Sequence, residues 1–364
     1  MANLRLAVVG PGFMSQAAHI HCFQLADGAD VTTLVGARPR LRDAVADRFH
    51  IPRRLDSWQA VVADPEIDAA VVSVPPEYNP DLCCSLLEAG KHVFAEKPMA
   101  LSLKQARRMA DAATASGRIL MMGFMKRYDP GIERAHKFYD EVIAAGDMGA
   151  LTCARVWCLL GGNWTADQQL LVPIITTDEP PLAKSVADAG PDFLPPKLAA
   201  GADGPGFSSP FYFFNHVHSH NMNLLRHFLG DDYEVAHADL RHKTKIALLR
   251  YDDALVTFEV GPGISAYGFE EGMKLYFEGG WMEILPPPPL QMQASARVLI
   301  YRGGDVTELR EPLGGWDWSF RRQAQHFVDC IREGKQPRTS GEDSVGDMAM
   351  VEAIFHRAIE TNLY

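Results

Sequence analysis

Two clusters of polar side chains in this 364-residue sequence have the types and spacing for proton chemistry. The first is Glu96-Lys97-Pro98, closing the apolar run HVFAE (92–96). If that run is a parallel strand, Lys97 stands at its carboxyl end, where open α/β sheets bind ligands. Pro98 cannot continue a ladder and biases Lys97 toward an extended conformation. The alternative is a solvated surface cation. The second cluster is Asn215-His216-Val217-His218-Ser219-His220-Asn221. Imidazole titrates at about pH 6.5 and exchanges protons readily near neutrality. On a helix, His216 and His220 share a face, with His227 seven residues further, while His218 points elsewhere. A metal shared by His216 and His220 is one alternative, but no accompanying carboxylate is evident and no metal is assigned. Hydrogen-bonded wall residues are another.

A third feature carries no reactive side chain. The run LRLAVV (4–9) is followed by Gly10-Pro11-Gly12-Phe13-Met14-Ser15. This approximates G-x-G-x-x-G/A, in which the first glycine permits a tight turn and the second lets backbone approach a diphosphate. Ser15 is small enough for the third position. Alone the pattern also fits a plain turn, but after the first strand of a strand–helix–strand unit it points to a dinucleotide. At the end of the second strand, where an NAD site places a carboxylate for the ribose hydroxyls, the sequence reads Gly36-Ala37-Arg38-Pro39-Arg40. Guanidinium suits a 2′-phosphate, so NADP is favoured over NAD. The alternatives are that Arg38 and Arg40 are solvated loop charges and that Asp43, one helical turn on, reaches the ribose.

The elements that must position these residues follow from the apolar patterning. Strands are expected at 4–10, 31–37, 69–74, 92–96 and 119–124, with helices at 15–26, 40–48, 57–63, 79–89 and 102–116. Alternating strands and helices imply right-handed crossovers and a parallel sheet covered on both faces. Beyond about residue 150 the texture changes: a strand at 151–160, a Pro- and Gly-rich stretch at 161–210, a helix at about 215–229, and strands with turn signals over 235–310. Two helices close the chain, at 317–333 and 343–361. The fold class is therefore α/β: an N-terminal Rossmann domain over 1–124 and an α+β domain over 125–364 with an open, mostly antiparallel sheet. A structureless stretch as long as 161–210 is often functional and is expected to form a lid or rim.

Composition bounds the partners. Asp and Glu outnumber Lys and Arg by 46 to 35, giving a net charge of −11. This disfavours nucleic acid and anionic membrane surfaces, which reward clustered positive charge. No apolar stretch is long enough for a transmembrane helix and no signal peptide is visible. The six cysteines include no C-x-x-C pair, so reduced thiols and a cytoplasmic location are expected.

Taken together, these segments resemble the Gfo/Idh/MocA oxidoreductase family. VVGPGFMSQAAHI is similar to its nucleotide turn, and the region from AAVVSVPPEYNP to AGKHVFAEKP to its third-to-fifth strand region. GFMKRYDP resembles its F-x-R-R-F/Y-x-P segment, GDMGAL the entry to its second domain, and residues 320–358 its closing helices. Only 160–210 lies outside the likeness. The resemblance implies hydride transfer between a bound NAD(P) and a carbinol or ketone carbon of a sugar, cyclitol or glycoside-like substrate. It implies substrate binding and proton handling for Lys97, with Glu96 orienting it. It also implies nicotinamide and ribose contacts for Pro75 and Asn79, and a homo-oligomer (dimer or tetramer) formed through the C-terminal sheet. His220 aligns with the family's catalytic histidine. The family's aspartate position holds His216, and its later aspartate is Asn223, so the proton relay departs from the family pattern.

Expected nucleotide contacts are thus Gly10, Gly12, Phe13, Met14, Ala37, Arg38, Arg40, Pro75, Asn79, Glu96 and Lys97. Expected substrate contacts are Lys97, Arg127, Tyr128, Trp164, His216 and His220, with Lys97 and His220 catalytic. Two alternatives stay open: redox-assisted glycoside cleavage with a recycled bound nucleotide, and a non-catalytic nucleotide-sensing protein.

Overall fold

The apolar runs that open the chain form strands because both their faces are covered. In β1 (Leu4–Val9) the last four residues are buried, and β4 (Ala69–Val72) is buried throughout. The computed structural model describes residues 2–161, 173–180, 190–200, 209–263 and 268–364. With β2 (Ala29–Val35), β3 (Arg53–Leu55), β5 (His92–Ala95) and β6 (Leu120–Met122), these strands make a six-stranded sheet of order β3-β2-β1-β4-β5-β6. Every pairing in it is parallel. The order reverses between β1 and β4, the switch point outside whose carboxyl ends such sheets bind ligands. The crossover helices include α2 (Pro39–Arg48), α3 (Trp58–Ala63), α4 (Asn79–Glu88) and α5 (Leu103–Ser116). Helix α5 is bounded by its side chains: Ser102 caps the start by accepting from the Gln105 N–H, and Gly117 at φ +63° ends it. The helix after β1 has a π-type segment, Ser15–His19, that runs into α1 (Ile20–Gln24).

This first compact unit comprises residues 1–124, 171–216 and 320–348. Residues 171–216 and 320–348, expected in the second domain, group here, and for the closing helix the packing gives the reason. On the helix Ser319–Glu333, Phe327 meets Phe23 and Phe94 edge-on at 6.0 and 5.9 Å, and Phe320 meets His19 at 5.9 Å. Edge-to-face pairs of this kind add about 0.5–1.5 kcal/mol each beyond the area they bury. Thr339 then extends the sheet edge: the Met122 N–H donates to its carbonyl at 2.8 Å, and its hydroxyl donates to the Met122 carbonyl at 2.7 Å.

The second unit comprises residues 125–170, 217–319 and 349–364. Its eight-stranded sheet uses β7 (Leu151–Leu160), β8 (Glu234–Asp239), β9 (Lys245–Tyr251), β10 (Ala254–Pro262), β11 (Phe269–Phe277), β12 (Gly280–Leu285), β13 (Arg297–Arg302) and β14 (Glu308–Arg310). The order is β14-β13-β12-β11-β7-β10-β9-β8, antiparallel except for the parallel pair β7–β10. Helix α6 (Pro130–Ala145) precedes β7 and was not read from the sequence. Its signal was there: Asp129 caps it by accepting from Gly131 and Ile132 N–H, and Pro130 fills the first helical position. The same carboxylate accepts from the Ala296 N–H at 2.9 Å, tying helix to sheet.

Candidate active site

The turn after β1 divides its two glycines by function. Gly10 has φ +99°, and a Cβ there would lie 2.2 Å from the Ser73 carbonyl oxygen, so packing against the end of β4 demands glycine. Gly12 is different: among the described residues, a Cβ there meets nothing within 4 Å. No atom of the described residues requires a glycine at that point, and the open space matches the close backbone approach of a diphosphate. The turn is held from below. Ser15 Oγ donates to the Gly10 carbonyl, and Gln16 Nε2 to the Pro11 carbonyl at 2.9 Å. Phe13 and Met14 are partly buried, while Pro75, which follows β4, is exposed. The residues fit a nicotinamide dinucleotide.

At the end of β2, Ala37 and Arg40 are exposed and Arg38 is partly buried. Asp43, the alternative ribose partner, pairs instead with Arg42 Nε at 2.8 Å. The N-terminus of α2 carries an unforeseen guest. Glu179 accepts from the Arg40 and Leu41 N–H groups at 3.2 and 3.0 Å. Its stretch, 173–180, is further tied by Gln16, whose amide donates to the Ile175 carbonyl at 3.0 Å and accepts from the Ile175 N–H at 2.8 Å. This described part of the 161–210 insertion, expected to form a lid or rim, therefore packs on the dinucleotide fold through Gln16 and the start of α2.

Around Lys97, buried polar groups fix the turn. The Lys97–Pro98 peptide is cis. Glu96 accepts the Lys97 backbone N–H at 3.0 Å through one oxygen and meets His19 Nε2 at 2.7 Å through the other. Its orienting action thus reaches Lys97 through the main chain. Asn79, expected beside the ribose, is 1% exposed and donates its amide N–H groups to the carbonyls of Glu96 and Pro98, both at 3.2 Å. These bonds place its amide below the Lys97–Pro98 turn. Lys97 Nζ donates to the His216 carbonyl at 2.8 Å.

His216 lies on the helix Pro210–Leu229, its ring stacked on Tyr212 at 5.5 Å with 8° between planes. Asn215, one residue earlier, donates to the Ala100 carbonyl at 3.0 Å. Desolvation, then the nearby Lys97 charge, hold His216 well below the usual imidazole range. His216 is therefore neutral near pH 7, and it is its main-chain carbonyl that meets the Lys97 amine. His220, one turn on, is partly buried, and His218 is buried.

In the second unit, Arg127 and Tyr128 are 8% and 0% exposed. Tyr128, expected to line the substrate cleft, is instead a core side chain of the turn before α6. Beside them Lys126 and Asn221 both donate to Glu271 Oε1, the latter at 2.6 Å, a buried network the sequence reading did not find. Trp164 lies outside the described residues. Among the described residues no group of three His, Cys, Asp or Glu side chains is placed to hold a metal ion, and no helix is long and apolar enough to cross a membrane. His19 and Glu179 were likewise missed; their partners Glu96 and Leu41 are 77 and 138 residues away along the chain.

Residues 4–124 match the model of an oxidoreductase family with an NAD-binding Rossmann fold, GFO_IDH_MocA. The chain is 25% identical over 316 residues to the inositol 2-dehydrogenase of Klebsiella pneumoniae (strain 342), covering 81% of this chain and 77% of that one. It is 26% identical over 325 residues to D-xylose 1-dehydrogenase (NADP(+)) 2 of Haloferax volcanii, covering 86% and 85%. Among solved structures, KijD10, a 3-ketoreductase from Actinomadura kijaniata in complex with NADP and TDP-benzene, superimposes with a TM-score of 0.74 at 19% identity, over 98% of each chain. That likeness is one of fold.

Proposed function

Because the chain belongs to the Gfo/Idh/MocA oxidoreductase family, whose Rossmann model its residues 4–124 match, we propose that it is an NADP-dependent dehydrogenase or reductase acting on a carbinol or ketone carbon of a sugar- or cyclitol-like substrate. The observation that carries this reading is the placing of Lys97 at the carboxyl end of β5, on the same edge of the sheet as the open Gly12 turn after β1. Bound nicotinamide supplies the two-electron chemistry. The chain's own residues supply the rest. The Gly10–Gly12 turn receives the diphosphate, and Arg38 and Arg40 the 2′-phosphate. The Lys97 ammonium hydrogen-bonds the reacting oxygen and stabilises the charge that develops there. The His216 carbonyl, Glu96 and Asn79 keep that amine and its turn in place. The His220 imidazole is the acid/base, accepting the hydroxyl proton in oxidation, and as imidazolium giving a proton to the carbonyl oxygen in reduction.

The substrate class rests on the inositol and xylose dehydrogenases among the relatives. The test is purified protein with NADP or NAD against a panel of sugars and cyclitols. A change in nicotinamide absorbance matched by product supports the reading. Product with no net absorbance change would instead mean that the nucleotide is recycled within each turnover. Coenzyme binding with no turnover on any polyol would overturn the substrate class.

A further inference from the structure

We propose that Glu179 is a built-in competitor for the 2′-phosphate of the coenzyme, so that the strap 173–180 sets the choice between NADP and NAD. This rests on the dinucleotide reading above and adds a selectivity-determining residue to it.

The leading N–H groups of a helix have no partner within it, and that end favours an anion. In α2, a ten-residue helix, two of those groups are taken by one carboxylate: Arg40 N–H donates to Glu179 Oε1 at 3.2 Å and Leu41 N–H to Oε2 at 3.0 Å. Thr177 Oγ1 adds a third bond, at 3.1 Å, to Oε2. The same stretch draws on both arginines. Arg40 Nη2 lies 2.5 Å from Asp178 and its Nε 3.9 Å from Glu179, while Arg38 Nη1 reaches the Glu179 carbonyl at 3.5 Å. Burial raises the Glu179 pKa, but the Leu41 and Arg40 N–H groups, Thr177 and the Arg40 charge outweigh it and hold the carboxyl below its usual range. Glu179 is thus an anion at neutral pH.

In a Rossmann fold the adenosine ribose lies at the end of β2. A 2′-phosphate there seeks the donors that Glu179 holds: main-chain N–H groups at the start of α2 and the guanidinium groups of Arg38 and Arg40. Two anions cannot share them at contact distance without strong repulsion. NADP must displace the carboxylate. NAD carries a 2′-hydroxyl, which can donate to a carboxylate and need not move it. The strap does not depend on Glu179 for attachment, since Ile175 is bonded in both directions to Gln16, itself 1% exposed, and Arg48 donates to the Pro173 carbonyl.

The experiment measures Kd for NADPH and NADH by titration calorimetry on the full chain, as wild type, as Glu179→Gln and as Ile175→Pro. The glutamine keeps the shape and removes the charge. The proline removes the N–H that ties the strap to Gln16. Expected is an NADPH affinity raised by about tenfold or more in Glu179→Gln, with NADH unchanged or weaker, and a shift in the same direction for Ile175→Pro. An NADPH affinity that is unchanged or lower in Glu179→Gln would overturn the competitor role while leaving the oxidoreductase reading intact. Wild-type protein that binds neither coenzyme would overturn both.

Discussion

Lys97 Nζ donates to the main-chain carbonyl of His216 across 2.8 Å. A carbonyl partner orients the ammonium without neutralising it, and the two side chains behave accordingly: the imidazole of His216 is held neutral by desolvation and by that same positive charge. In the proposed function that same amine meets an oxygen of the substrate. Lys97→Met should therefore lower kcat by about 10²–10⁴-fold, the range for a positioned proton-handling group. Kd for the coenzyme, measured by calorimetry, should be largely unchanged. A variant that loses its fold along with its turnover would make Lys97 a structural residue.

Asn79 separates two readings of its own role. If it serves the Lys97–Pro98 turn, Asn79→Leu strands the buried carbonyls of Glu96 and Pro98 and should cost about 1–3 kcal/mol in denaturant unfolding. It should lower kcat as well, because the turn that carries Lys97 loosens. If it were only a ribose contact, the coenzyme KM alone would rise and stability would be unaffected.

The nucleotide turn was legible in the sequence because its signal is local: a buried apolar run, two glycines and a small residue within a dozen positions. The place of Lys97 just past the end of β5 was legible for the same reason. The shell around it was not. His19 and Glu96, or Glu179 and Leu41, are joined by the fold and not by spacing, and a lone histidine or a glutamate in a Pro-rich stretch carries no sequence signal of its partner. Tyr128 was misplaced because an aromatic side chain suits a cleft wall and a core equally; burial alone distinguishes them. The grouping of 320–348 with the first unit was not legible, because amphipathic closing helices show that they pack, but not on which sheet.

His216 also sets a pH dependence. Its folded pKa lies well below the ordinary 6.5, so as pH falls below about 6.5 the unfolded chain takes up a proton that the folded protein refuses. Stability should fall with acidification through that window and be unaffected by His216 above it. In His216→Gln the slope between pH 7.5 and 5.5 should be shallower than in wild type, read as urea midpoints at each pH. Equal slopes would mean that the imidazole is protonated as easily in the folded protein as in the unfolded chain.

Glu271 offers the sharpest test of the second unit. Its side chain is 2% exposed and depends on Lys126, 9% exposed, and on Asn221. Two charges taken this far out of water are tolerable only as a pair, because each relieves the desolvation of the other. Lys126→Met leaves the carboxylate with the Asn221 amide and should cost about 3–5 kcal/mol, the usual penalty for a stranded buried charge. Adding Glu271→Gln in the same chain removes that charge and should recover most of the loss, although Glu271→Gln alone strands Lys126 and is itself destabilising. The double-mutant cycle, read from guanidinium midpoints, should therefore give a coupling energy above about 1 kcal/mol. Additive losses would show that the two side chains do not depend on each other, and that the sheet residue Glu271 does not anchor the turn that carries Arg127.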